Sequence, residues 1–367
     1  MPATEDHATP ALREADRQMT ICNACRYCEG LCAVFPAMEL RRDFSAGDLN
    51  YLANLCHSCG ACYYDCQYAP PHEFAVNVPV ALAELRTESY RHYAWPGALS
   101  GLFEKNGTKV AIAASLSVIA FLMGFVALAD PQVLYASQTG AGAFYAIMPH
   151  NAMVALFGTV FVFAILAMVF SLRAFWRDTG GASAGTSATG SLWRAVTAAA
   201  KLRNLDGGGA GCMNDDEHPT DNRRHYHHFT FYGFLLCLAS TSLATLFHYA
   251  FGWQAPYGWS NPVVVLGTIG GIGLVIGPVG LLAARHRRDP EISADGQSAM
   301  GIAFLWMLLL TGLTGILLLV LRATPAMGIL LAIHLGFVLG LFVSLPYGKF
   351  VHGLYRFAAL VQYARER

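Results

Sequence analysis

Two eleven-residue stretches decide the fold of the first part of the chain: CNACRYCEGLC, from Cys22 to Cys32, and CHSCGACYYDC, from Cys56 to Cys66. Both read C-x2-C-x2-C-x3-C, and together they hold eight of the ten cysteines. Three thiolates spaced two residues apart can wrap one face of an iron-sulfur cube, with the intervening amides free to donate to its sulfides. In doubled runs the fourth cysteine reaches the other cube. The pattern therefore assigns Cys22, Cys25, Cys28 and Cys66 to one 4Fe-4S cluster, and Cys56, Cys59, Cys62 and Cys32 to a second. Zinc is the alternative for clustered cysteines, but it prefers four ligands in paired CxxC knuckles. A third cysteine at x2 and a fourth at x3, repeated without variation, favours iron-sulfur.

Bacterial ferredoxins carry proline directly after the fourth cysteine, whereas here AVFP follows Cys32 and QYAPP follows Cys66. The fourth cysteine of each run is expected to start a helix leading away. The segment between the runs, AVFPAMELRRDFSAGDLNYLANL, reads as helical, and this part resembles the helical ferredoxin domain of respiratory iron-sulfur subunits. The first twenty residues are polar with no apolar core, so no cleavable export signal is expected. Cys212 and Cys237 stand apart from the runs and are expected to act as small apolar residues without a cofactor role.

The 367 residues are 55% hydrophobic and only 13% charged, with a mean hydropathy of +0.41. Soluble domains carry roughly a quarter charged residues. Lys plus Arg and Asp plus Glu number 24 each, so the net charge is zero and no global field exists to attract nucleic acid. The apolar excess begins near Thr108 and falls into six runs close to the ~20 residues that cross a hydrocarbon core of about 30 Å: 108–129, 147–171, 229–251, 262–284, 300–321 and 326–345. If the N-terminus is cytoplasmic, 23 of the 24 Lys and Arg lie on the cytoplasmic side, and only Arg322 lies outside. The expected architecture is all-α. Residues 1–107 form a cytoplasmic two-cluster ferredoxin domain, 108–171 the first two transmembrane helices, and 172–228 a cytoplasmic loop. Helices three to six occupy 229–345, and a cytoplasmic amphipathic C-terminal helix 346–367. The loop opens with the linker GGASAGTSATG, continues with a short interfacial helix in SLWRAVTAAAKLRNL, and ends in DGGGAGCMNDDEHPTDNRRHYHH. Its His218, His225, His227 and His228 suit a solvated, partner-facing segment, or a metal site.

Histidines at bilayer depth are costly and suggest function. His334 and His352 lie eighteen residues apart, which on one continuous helix is five whole turns, one face, and about 27 Å along the axis. Such a helix could give one ligand to each of two stacked haems, and span three would supply the opposite ligands. The expected pairs are His228 with His352 and His248 with His334. His227 could replace His228, since it lies ~60° from His248 around the helix against ~200° for His228. His150 is a further candidate, for the outer haem or a quinone. The glycines of GTIGGIGLVIG read as close-packing positions.

The chain resembles the tricarballylate or citrate utilisation protein B family over nearly its whole length. The resemblance lies in the doubled cysteine runs, CAVFPAME, GGGAGCMNDDE, HHFTFYGFLLC, HYAFGW, GGIGLVIGP and LPYGKFVHGLYRFAAL. The membrane part, particularly IHLGFVLGLFVSLPYGKFVH, is also similar to the gamma subunit of respiratory nitrate reductases. The family resemblance implies an electron-transfer protein of the bacterial inner membrane that reoxidises the FADH2 of a separate soluble dehydrogenase. In the tricarballylate pathway that partner is an FAD-dependent tricarballylate dehydrogenase, and electrons pass through the two 4Fe-4S clusters and haem b to the quinone pool. No Gly-rich dinucleotide motif follows a predicted strand, so no flavin or nicotinamide site is expected in this chain. The same residues would suit a quinol-oxidising subunit feeding a cytoplasmic reductase. A third reading is a redox-sensing membrane protein.

Overall fold

The computed structural model describes residues 8–180 and 188–367; most of the expected linker lies outside them. The described residues are helical, with no strand and one isolated bridge between Cys212 and Thr220. The head contains α1 (Pro10–Cys25), α2 (Val34–Met38), α3 (Ala46–Leu55), α4 (Ala61–Tyr64) and α5 (Val78–His92). Local chemistry sets their ends. Thr9 caps α1 by accepting from the Leu12 amide, and Arg26 closes that helix in the left-handed region at φ 58°. Ser45 and Asp48 form a reciprocal capping box on α3. As expected, Cys32 leads into a helix, α2. Cys66 instead lies in a series of turns that ends at Asn77, because Pro70 and Pro71 supply no amide hydrogens for a helix there.

Beyond the head come α6 (Asn106–Leu128), α7 (Pro131–Leu134), α8 (Ala143–Ile147), α9 (His150–Asp178) and α10 (Ala188–Ala200). They are followed by α11 (Asn222–Phe251), α12 (Pro262–His286), α13 (Asp295–Leu321), α14 (Met327–Ser344) and α15 (Val351–Glu366). Six helices are long and apolar enough to cross a membrane: α6, α9, α11, α12, α13 and α14. Each coincides with one expected run, but α9 and α11 extend farther toward the head than hydropathy indicates. His225, His227 and His228 therefore belong to α11 and not to a loop.

In the bundle, α12 lies between α11 and α13, while α6 packs on α13 and α14 and α9 runs along α14. The α11–α12 seam is built from glycine. A Cβ on Gly277 would come within 2.3 Å of Thr230 Oγ1, and one on Gly273 within 2.9 Å of Phe229 O, so the backbones meet without side chains between them.

The expectation of a continuous last helix fails. α14 does not run on to His352: it ends at Ser344, Leu345–Tyr347 forms a 3₁₀ turn, and Gly348 is extended at φ −140° and ψ −167° before α15 begins. Pro346 has no amide hydrogen with which to continue the ladder. The Asn106 amide donates to Tyr347 O at 2.6 Å and takes up a carbonyl freed by the break. His334 and His352 thus lie on separate helices, and the five-turn, same-face relation does not hold. Nor does α15 lie against a bilayer surface as a free amphipathic helix. Its Ala359, Leu360 and Val361 join the head core with Met19, Phe35, Leu49 and Leu52. Glu366 closes the contact, 2.6 Å from Arg41 Nη2 and accepting from Tyr51 OH at 3.0 Å. Helix α10, expected as a short interfacial helix, packs on α15, where Ser191 Oγ donates to Ala364 O at 3.2 Å.

Candidate functional site

The fold brings the cysteines together as two quartets. Cys22, Cys25, Cys28 and Cys66 ring a cavity of 340 Å³ at the surface of the head, rimmed by Tyr27, Asp65 and Gln67. Tyr27 is 74% exposed, so this quartet stands close to water. Cys32, Cys56, Cys59 and Cys62 ring a second, tighter space between α2, α4 and the start of α5. Among the described residues no three His, Cys, Asp or Glu side chains converge as a single ion requires; one tetrahedral zinc would hold its sulfurs ~4 Å apart. Each quartet surrounds a volume instead, which suits a cluster. Amides reach the sulfurs: Ser58 N–H donates to Cys56 Sγ at 3.3 Å, and the amides of Val34 and Phe35 to Cys32. Burial, reinforced by the neighbouring thiols, pushes Cys22 and Cys28 up to about 12. Burial likewise pushes Cys59 up to about 11. Thiols crowded together and desolvated in this way stay protonated unless cationic metal shares the site.

The segment 207–220, expected as a solvated loop, is in part a cover for the second quartet. Met213 N–H donates to Cys59 O at 2.9 Å, and Gly60, at φ 92°, lies beneath the Met213 and Ile292 side chains where a Cβ would collide. Cys212 is buried beside Cys59. Gly208 to Ala210 and Asp215 to Pro219, His218 included, are the exposed residues of this segment.

Four arginines converge on three residues of the second run. Arg86 donates to Cys56 O at 2.8 Å and to Ser58 Oγ at 2.9 Å. Arg223 donates to Ser58 O at 2.9 Å and His57 O at 3.1 Å. Arg356 donates to Cys56 O at 2.7 Å, and Arg288 to Ser58 O at 3.2 Å. Burial first, then neighbouring arginines, pull Arg288 and Arg356 down to about 9, which still leaves both cationic at neutral pH. Sequence reading missed this group. Its members come from α5, α11, the α12–α13 connection and α15, and their charges register in sequence only as one-sided basic loops.

The same arginines wall a cavity of 640 Å³ that lies between the second quartet and the head end of the bundle, with Lys349, His227 and His352 also lining it and, among the described residues, no Asp or Glu. The His227 and His352 ring centroids are 6.1 Å apart. Two imidazoles on one iron, each at ~2.0 Å, would have centroids ~6.3 Å apart. His352 Nδ1 donates to Lys349 O at 2.5 Å, which leaves Nε2 with a free lone pair. Burial, then Lys349, hold His352 well below the usual imidazole range, so the ring is neutral. His227 Nδ1 is buried without a partner.

His228 turns away and stacks on Tyr232, centroids 5.9 Å apart. At the far end of the bundle His248 stacks on His150 with centroids 3.8 Å apart, flanked by Tyr145 and Tyr249. His334 lies against Gly315, its Nδ1 3.1 Å from Thr314 Oγ1. The structure thus brings together His227 with His352 and His150 with His248, whereas His334 is engaged by α13.

A helical head with two cysteine quartets, carried on six helices able to cross a membrane, defines an iron-sulfur electron-transfer protein of the membrane-bound type. Residues 15–92 match the family model described as citrate utilization protein B Fer4-like domain, and residues 103–367 match that of citrate utilization protein B. The chain is 50% identical over 355 residues to the citrate utilization protein B of Escherichia coli, covering 96% of this chain and 92% of the relative. It belongs to the citrate utilization protein B family. No solved structure matches it.

Proposed function

We propose that the chain carries electrons from the reduced flavin of a soluble tricarballylate or related tricarboxylate dehydrogenase to the quinone pool of a bacterial inner membrane, its head and both termini facing the cytoplasm. Cys22, Cys25, Cys28 and Cys66 hold one 4Fe-4S cluster, and Cys32, Cys56, Cys59 and Cys62 a second. His227 and His352 hold a haem b in the cavity between head and bundle. These groups supply one-electron carriers that no side chain can replace. The chain's own residues do the rest. They gather the sulfurs, cover the second quartet, keep the His352 lone pair free, and line the cavity with cationic side chains that would pair with the carboxylates of a bound haem.

The observation that carries the reading is continuity. A solvent-facing quartet, a covered quartet and a histidine-lined cavity succeed one another from the head surface to the bundle. The test is the iron, sulfide and haem content and the visible spectrum of the detergent-solubilised full chain. Eight irons and eight sulfides beyond haem iron, with a dithionite-reducible haem band, are expected. Absence of acid-labile sulfide would overturn the cluster assignment, and absence of the band would overturn the haem.

A further inference from the structure

The two quartets sit in opposite electrostatic surroundings. The lining of the first includes Asp65 and, among the described residues, no Lys or Arg. The second is backed by Arg86, Arg223, Arg288 and Arg356, which bind the carbonyls or hydroxyl of Cys56, His57 and Ser58 at 2.7 to 3.2 Å. Arg86 is only 3% exposed, so its charge is poorly screened. The guanidinium stays protonated across the working pH range. No geometric need explains four of them here, since one donor satisfies a carbonyl and Ser58 O already receives two.

We infer that this arginine cluster sets the reduction potential of the second quartet above that of the first, so that the protein favours the electron at the site nearer the bundle. One-electron reduction adds one negative charge and needs no proton. Nearby fixed cations and hydrogen bonds stabilise that added charge, while Asp65 opposes it at the first site. The four arginines are therefore positioning residues for direction of flow: they touch the backbone of the ligand loop and not the reacting atoms. The inference rests on the two-cluster reading above.

The experiment is a redox titration of the purified full chain, followed by the electron paramagnetic resonance of the reduced clusters. Wild type is compared with Arg223→Gln and Arg223→Lys, with iron and sulfide measured on each sample. Two one-electron cluster steps are expected in wild type, apart from the step of the haem. In Arg223→Gln the upper step falls by about tenfold in its equilibrium constant, about 59 mV, while the lower step stays in place. Arg223→Lys, which keeps the charge and loses the fork, recovers most of the shift. Arg288→Gln provides the same comparison from another element if Arg223→Gln fails to assemble. Full iron and sulfide with both steps unmoved in the glutamine variants, or with the lower step moving instead, would overturn the inference. Iron and sulfide missing from wild type would overturn the two-cluster reading itself.

Discussion

Two adjacent histidines on α11 show what a single helical position decides. His227 points into the cavity toward His352, and His228, one residue and ~100° further round the helix, stacks on Tyr232. Depth alone does not separate them in the sequence, since both lie at the same end of the span. The angular relation to His248 did favour His227, but the partner relation was drawn on a continuous C-terminal helix that the chain does not form. His227→Ala should abolish the dithionite-reduced haem band, and His228→Ala should leave it unchanged; the reverse result would reassign the ligand. His57 gives a pH prediction. Burial first, then Arg356, hold it well below its ordinary value, with Nδ1 2.8 Å from Leu55 O. The unfolded chain takes up a proton at this residue below about pH 6.5, whereas the native chain does not. Its contribution is therefore present above that pH, and stability is lost as pH falls through it by up to ~1.4 kcal/mol per unit. The thermal midpoint should drop between pH 7.5 and 5.5, and less steeply in His57→Asn; equal slopes would exclude His57 as the source.

At the level of elements, hydropathy located all six long helices because a run of some twenty apolar residues has few other uses. The proposed quartets come from the cysteine spacing, and the same residues line the two cavities of the head. The break after Ser344 was not legible, since LPYGK is compatible with a helix that merely kinks at proline, and only the Asn106 contact to Tyr347 O, 241 residues away in sequence, fixes the new direction. The α11–α12 seam lies between these cases. GTIGGIGLVIG indicated close packing, and the structure supplies the partner. Gly277→Val should force the helices apart, at about 1–3 kcal/mol for an overpacked contact, and carry His227 away from His352. A lowered thermal midpoint together with a weakened haem band is the expected result. Gly258→Ala, whose Cβ would meet nothing within 4 Å, serves as the control and should change neither. A normal haem band in Gly277→Val would mean that the seam does not position the ligand.

For the whole molecule, α15 makes head and bundle one unit. It leaves the bundle at Phe350, supplies His352 to the cavity and Arg356 to the second quartet, and ends with Glu366 against Arg41 and Tyr51. Glu366→Ala should destabilise the head by about 1.5–3 kcal/mol, the usual worth of hydrogen bonds to a charged group, seen as faster proteolysis of α1 to α5 while the bundle stays intact. The same docking constrains topology. Because the C-terminal helix is packed into the N-terminal core, both ends of the chain must face one side of any membrane the six helices cross, and an even number of spans agrees. The cytoplasmic side proposed for the head rests on charge: with the N-terminus inside, 23 of the 24 Lys and Arg fall on that side, and positive residues are retained in the cytoplasm. A fluorescent reporter that folds only in the cytoplasm should therefore light up when fused after Arg367, and an export-dependent phosphatase should be active when inserted at Gly140, in the connection between α7 and α8. The opposite pattern would place the head, with its exposed quartet, where a cytoplasmic dehydrogenase could not reach it, and would overturn the proposed electron donor along with the topology.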